Sequence, residues 1–351
     1  MNYGDISPAV AAYSVVRMLK RAMPYLQLEK FGQTYPLPTN STQTAKFRRY
    51  FLTGATGAAG NGSPSSAYFF PVATTPLTEG VTPQGNSLSN QDYTVSLSQY
   101  GDFIEITDVI MDTHTDDILA QCTDILGEQA ALTVETLRFN VLKAGVNVFY
   151  ANNVAGRSSI VTAVALADQR RVTTGLNRQN AKKISQVVAS NPDFNTKSVE
   201  AAYMAVCHPD LESDLRSMKD ANNNLKFVPV SDYGPHTSPF EGEIGSVEQV
   251  RYLQSTVIAP WTDAGGAVGS TGLRSTSGSN VDVYPILVFG RDAFGIVPLK
   301  GKSSMTPMVV NPKPAPGDPL AQRGTVGWKL WTSTVILQDC FMARLEVGCT
   351  A

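Results

Sequence analysis

The chain has 351 residues, with 28 Lys+Arg against 30 Asp+Glu and a formal net charge of −2. That balance excludes a bulk basic field for nucleic acid and leaves no dominant acidic tail. Charged residues are only 17% of the chain, below the roughly 25% of ordinary soluble domains, and Ser, Thr, Asn, Gln and Gly take their place. Such a surface suits a protein covered by neighbouring subunits, because charge is depleted at interface cores, and it equally suits a charge-poor globule.

Cys122, Cys207, Cys340 and Cys349 form no CxxC pair, and the first 20 residues carry no continuous apolar stretch of a secretory signal. Reduced thiols and synthesis in the cytoplasm are therefore expected. Apolar runs such as 286–289 fall far short of the roughly 20 residues that a membrane-spanning helix needs, so no membrane partner is expected.

In chain order, residues 1–45 read as an N-terminal arm. A short amphipathic piece at 9–21 is followed by Pro24, Pro36 and Pro38 and a polar run, too little apolar material to form a core of its own. "KFRRYFL" (46–52) reads as a strand. Residues 53–91 are rich in Gly, Ser, Thr and Pro, and the chain returns with Tyr93, Val95 and Leu97 alternating with polar residues, as in a half-buried strand. Residues 46–100 thus form a long projecting hairpin, the kind of excursion that is usually functional.

From 116 to 144 the period becomes helical. Ile118, Cys122, Ile125, Ala130, Val134, Leu137 and Val141 mark the expected buried face. Residues 145–310 read as mixed α/β, with a helix at 178–189, a strand at 202–208, a helix start at Pro209 and Asp210, and β-runs at 247–259 and 281–290. Phe341, Ala343, Leu345 and Val347 alternate as a closing strand.

The chemical candidates are few. "MDTHTDDIL" (111–119) offers Asp112, His114 and Asp116 or Asp117 to a metal, but HExxH and Cys/His spacings are absent. The helix that follows gives a simpler account. Thr113 or Thr115 caps its first N–H groups, and Asp116 and Asp117 meet the positive end of its dipole. "GIVPLKGKSS" (295–304) has five residues between its glycines, where a phosphate loop has four, and a proline that removes a needed N–H. Cys207 and His208 are adjacent on a strand and point to opposite faces, so they form no thiol–imidazole pair. No GxSxG is present. Neither a catalytic constellation nor a cofactor site is expected. Arg48 and Arg49 at the hairpin base are candidates to meet phosphate or a neighbour's carboxylate.

The order of parts resembles a known family. "PLTEGVTP" (76–83), "SQYGDFIEITDVIMD" (98–112), "GEQAALTVETLRFNVLKAGVNVFYA" (127–151) and "DPLAQRGTVGWKLWTSTVILQDCFMARLEV" (318–347) are similar to successive parts of tailed-bacteriophage major capsid proteins with the Hong Kong 97-type fold. Within that family they resemble the branch typified by a short-tailed coliphage with a large genome.

The resemblance implies an α+β fold with an arm (1–45) and an extended loop (46–100). A peripheral domain would take 101–150 and 311–351, with a spine helix at 116–144, and a central axial domain would take 151–310. It also implies a non-enzymatic coat subunit of the virion, made in the host cytoplasm. That subunit would form hexamers and pentamers of an icosahedral shell around double-stranded DNA. Portal, scaffolding and decoration proteins are the implied partners. Loop contacts to neighbours are expected at Arg48, Arg49, Glu79, Gly80 and Val81. Some members cross-link through a lysine on this loop; residues 50–100 contain none, so no such bond is expected. An encapsulin-like compartment shell and a metal-dependent enzyme using Asp112, His114 and Asp116 are the rival readings.

Overall fold

A computed structural model describes residues 26–40, 42–52, 76–82, 85, 87–113, 118–186, 199–233, 240–299, 306–310, 319–320 and 322–350. The strands in chain order begin with β1 (Gln33–Thr34), β2 (Thr44–Leu52), β3 (Leu88–Ser96), β4 (Ser98–Thr107) and β5 (Val148–Tyr150). They continue with β6 (Tyr203–Cys207), β7 (Phe227–Pro229), β8 (Glu243–Val247), β9 (Val250–Gln254) and β10 (Tyr284–Phe289). The last four are β11 (Phe294–Pro298), β12 (Thr306–Val310), β13 (Arg323–Ile336) and β14 (Met342–Val347). The α-helices are α1 (Asp108–Thr113), α2 (Ile118–Leu142), α3 (Leu166–Arg178) and α4 (Glu212–Arg216).

Two large sheets organise the chain. One has seven strands in the order β5-β14-β10-β6-β9-β8-β7. Its central strands, YMAVC, YPILVF and MARLEV, are buried along their whole length, the continuous pattern of strands covered on both faces. Tyr203, Ala205, Cys207, Ile286, Val288, Ala343 and Leu345 face a core shared with Leu166, Val172 and Leu176 of α3. Met204, Val206, Leu287, Phe289 and Met342 face a second core with Phe139 and Leu142 of α2 and with Leu28 and Phe31.

The other sheet has five strands built around β13. β4 pairs with it from Arg323↔Thr107 to Thr332↔Ser98, β12 pairs over 325–329, β11 over 332–336, and β1 lies parallel to β11. Val326, Trp328 and Leu330 pack under Leu126, Ala130, Ala131 and Val134 of α2. The helix therefore bridges the two sheets: its first half closes one core and its last turns enter the other.

Several sequence expectations change here. Residues 26–40 are built into the body, with Leu28, Phe31 and Leu37 buried and β1 in a sheet; three apolar side chains suffice because they complete other elements' cores. The sheets do not divide at 150/151 and 310/311. β14 lies between β5 and β10 in the seven-stranded sheet, while β11 and β12 join β13 in the five-stranded one. Helix α3 ends at Arg178 instead of starting there, and Asn180 at φ 54° turns the chain out of it.

The buried side of α2 is broader than the expected one. Ala130 and Val134 are buried and Ile118, Cys122, Leu137 and Val141 half-buried as expected, but Thr123, Asp124, Glu135 and Arg138 are buried too, and Ile125 is exposed. Of these polar side chains, Thr123 Oγ1 donates to the Leu119 carbonyl, and Glu135 and Arg138 engage the segment at 27–29, about a hundred residues away.

Candidate inter-subunit surface

β2 and β3 form a two-stranded hairpin in register from Thr44↔Ser96 to Leu52↔Leu88. One face points to the body: Ala45 and Leu97 are buried and join Leu37 and Val297, with Phe47, Val95, Leu299 and Trp331 half-buried around them. The Phe47 ring also lies against Tyr35, centroids 5.5 Å apart. The opposite face carries Thr44, Lys46, Arg48, Tyr50, Asn90, Asp92, Thr94 and Ser96, all exposed. Among the described residues the hairpin is thus anchored through one face and exposed on the other.

The two arginines of the base point to different faces and are both engaged within the chain. Arg48 donates from Nε to Asp92 Oδ1 at 2.7 Å and from Nη2 to Oδ2 at 2.9 Å, a bidentate cross-strand pair. The Arg48 hydrogen bond holds the Asp92 carboxyl below the usual carboxylate range. Arg49 Nη1 donates to Gln338 Oε1, beside β14. Arg48 therefore stiffens the hairpin, and Arg49 fixes its angle to the body.

On the returning limb, the Val81 N–H donates to the Thr78 carbonyl at 3.2 Å and closes a turn through Glu79 and Gly80. Gly80 has φ 78°, a conformation that side chains resist. The turn presents Leu77 and Val81, which are 80% and 64% exposed. The turn thus carries two exposed apolar side chains on its flanks.

A second uncovered apolar area lies on the five-stranded sheet. α2 covers one face, and the hairpin root covers only the Val297–Trp331 end of the other. The rest of that face is a hollow of about 540 Å³ lined by residues including Gly101, Phe103, Met308, Val310, Gly327 and Lys329. Phe103 is 60% exposed, and Met308 and Val310 are about half exposed. Gly327 faces Phe103 in register, and a Cβ there would come within 2.9 Å of the Phe103 Cβ. The floor is therefore kept low by glycine and the walls are apolar.

The stretch "MDTHTDDIL" is placed only in part. Asp112 and Thr113 end α1, a short helix the sequence did not suggest, so Thr113 is not directly before α2. His114, Thr115, Asp116 and Asp117 lie outside the described residues. Among the described residues no cluster of three or more His, Cys, Asp or Glu side chains is placed to hold a metal. Cys207 is fully buried, its thiol pushed up to about 12 by that burial.

Three polar clusters, two of them around buried glutamates, escaped the sequence reading. In β14, Arg344 and Glu346 share the face opposite Ala343 and Leu345. Glu346 accepts from Arg344 Nε at 2.8 Å and, in bidentate fashion, from Arg157 at 2.7 and 2.8 Å. Both guanidinium groups lie over the Trp261 ring. Arg344 also donates to the Lys143 and Gly145 carbonyls just beyond α2, tying the helix end to the sheet.

At the other end of β14, Asp210 accepts from Arg274 at 2.6 Å and Tyr284 at 2.9 Å, and Asp214 accepts the Thr350 N–H at 2.9 Å. Charges alternating with apolar residues in "MARLEV" were the available signal for the first cluster. The third, Glu135 with Arg138, had none, since its partners are two backbone N–H groups and the Glu29 carboxylate, about a hundred residues away.

The chain and its fold have counterparts among known proteins. A family model described as phage capsid protein matches residues 91–339, more than two thirds of the chain. This chain belongs to that family. The capsid chain is 24% identical over 262 residues to the major capsid protein of Pseudomonas phage KPP21. That match covers 71% of this chain and 66%, just under two thirds, of the relative's length.

Among solved structures, the capsid of Ralstonia phage GP4 superposes with a TM-score of 0.62 at 13% identity, covering 91% of this chain and 87% of that one. The capsid of the cyanophage P-SCSP1u gives 0.56 at 13% identity, with coverages of 92% and 88%. At such identity the likeness shows the capsid fold. No helix among the described residues is long and apolar enough to cross a membrane.

Proposed function

We propose that copies of this capsid chain build the icosahedral head shell of a tailed phage around double-stranded DNA, through hexamers and pentamers, with a Hong Kong 97-type subunit. The carrying observation is the pair of apolar surfaces one copy leaves bare: the turn with Leu77 and Val81, and the hollow walled by Phe103, Met308 and Val310. The hairpin of one copy crosses a neighbour, and the many modest interfaces of the lattice close the shell cooperatively.

In this reading the five-stranded sheet with the first part of α2 is the peripheral domain, and the seven-stranded sheet is the axial one. The N-terminal part of the chain supplies the arm, of which residues 1–25 lie outside the described residues. Portal, scaffolding and decoration proteins are the further partners, and the short-tailed, large-genome branch is the closest setting. Arg48 and Arg49 act by stiffening and aiming the hairpin, and Glu79, Gly80 and Val81 form the contact turn.

Electron microscopy with light scattering of the purified chain, with scaffold-containing lysate added if it stays monomeric, tests the proposal. Closed shells or capsomer rings are expected. Leu77→Asp with Val81→Asp should abolish them while leaving the circular dichroism spectrum of the subunit unchanged. Equal particle yield from that variant would sink the hairpin contact, and a chain that stays monomeric with lysate would sink the shell reading.

A further inference from the structure

Residues 166–186 hold five cations, Arg170, Arg171, Arg178, Lys182 and Lys183, and one carboxylate, Asp168, in a chain whose formal net charge is −2. Two of these cations are answered within the subunit. Arg170 donates to both carboxylate oxygens of Glu248, and Arg171 lies 3.5 Å from Asp168 and donates to the Tyr150 carbonyl. The other three form no ion pair among the described residues. Arg178 closes α3 and is exposed, as is Lys182, and Lys183 is half-buried.

A fourth cation joins them through the backbone. The Arg291 N–H donates to the Lys182 carbonyl at 2.8 Å, and a Cβ on Gly290 would come within 3.2 Å of that same oxygen. Glycine at 290 thus lets the loop after β10 close on the turn after α3, which brings Arg291, its side chain 69% exposed, beside Lys182. Two carboxylates lie near. Asp292 is 3.9 Å from Arg291 Nε, and Glu200 stands two residues before the Ala202 N–H that donates to Ser185 Oγ. Four cations against two carboxylates leave the patch positive. Among the described residues of 162–224 and 281–299 no large apolar side chain is exposed. Protein interfaces are poor in lysine and need apolar or aromatic anchors. A lysine-rich surface without such an anchor fits a polyanion held by charge alone.

We propose that Arg178, Lys182, Lys183 and Arg291 contact the phosphate backbone of duplex DNA without reading its sequence. The proposal rests on the shell reading, in which duplex DNA is the enclosed polyanion. The patch then marks the end of α3 as a surface turned toward that DNA. Four phosphate contacts give a loose hold that salt removes readily.

Fluorescence anisotropy of a short labelled duplex, titrated with dissociated full-length subunits, tests it. For four contacts, affinity should fall about 150-fold between about 50 and about 200 mM salt. Lys182→Ala with Lys183→Ala should reduce that fall to about tenfold, and Arg291→Gln, on a separate loop, should lower the salt slope by about one. Lys219→Ala removes an exposed cation outside the patch and should leave the slope unchanged. No binding by the wild type, an equal slope in the wild type and the double variant, or a slope lowered by Lys219→Ala would each overturn the proposal. Shell yield in the electron microscope is read separately and should be equal for the wild type and the double variant. A double variant that keeps the wild-type slope but loses shells would assign the patch to a second copy's carboxylates and overturn the DNA contact. A wild type that binds with the expected slope yet builds no shell would remove the shell reading and leave the phosphate contact standing.

Discussion

The Glu135 carboxylate on α2 accepts the Leu28 backbone N–H at 2.7 Å across 107 residues of sequence, and the same oxygen accepts the Gln27 N–H. Arg138, one turn on, reaches Glu29 at 3.0 Å. These contacts sit where α2 passes from the core of one sheet to the core of the other, so they join the start of the described chain to the element that holds both sheets together. Glu135→Ala leaves two buried donors without an acceptor, and a loss on the order of 2–3 kcal/mol in urea unfolding is expected.

Glu135 also has a pH signature. Burial raises its carboxyl above the ordinary 4.5, against the hydrogen bonds from Leu28 and Gln27 and the Arg138 charge. A raised folded value means that this group's contribution is fully present below the unfolded pKa and is lost as pH rises through the folded one. The stability of the wild type relative to Glu135→Gln should therefore fall as pH increases from 4.5. A difference that is flat with pH would show that the carboxyl is not shifted.

Glu346 is fully buried and neutralises both Arg157 and Arg344. Glu346→Gln leaves two guanidinium groups against Trp261 without a counter-charge, so a loss of about 3–5 kcal/mol is expected from equilibrium unfolding. Quenching of Trp261 should change in the same variant, because both cations lie over its ring.

His208 responds to acid in the opposite sense to Glu135. Its Nδ1 accepts the Asp210 N–H at 3.2 Å, and its ring lies beside Tyr284. Burial lowers its pKa from 6.5, Asp210 opposes this, and Arg274 adds to it. A depressed folded value contributes stability that is present above the unfolded pKa and is lost as pH falls through the folded one. Melting between about pH 7 and about pH 5 should therefore show a smaller drop in Tm for His208→Asn than for the wild type.

Thiol reactivity gives a direct check on the cores. Cys207 and Cys349 are buried, and desolvation pushes both thiols up to about 12, while Cys122 on α2 is only partly covered. In the native subunit a maleimide should label Cys122 first and leave Cys207 and Cys349 until unfolding. Early labelling of Cys207, read by peptide mass, would contradict the packing of β6 between its neighbours.

Much of this architecture was written locally. The alternation at Tyr93, Val95 and Leu97, the helical run through α2 and the apolar runs of β6 and β10 are read by near neighbours in sequence, and they emerged as strands and helix where the periodicity put them. The order of these parts also carried the family resemblance, because motifs survive in sequence where contacts do not.

What only the tertiary structure decided concerns partners distant in sequence. Periodicity could not tell that Glu135 and Arg138 join the buried side of α2, because they are paid for by backbone donors and a carboxylate at 27–29. Nor could composition show that Arg48 and Arg49 are spent on Asp92 and Gln338, or that β14 closes the seven-stranded sheet between β5 and β10. A local pattern fixes the period of an element, whereas the identity of its neighbours depends on long-range packing and on where buried polar groups find their partners.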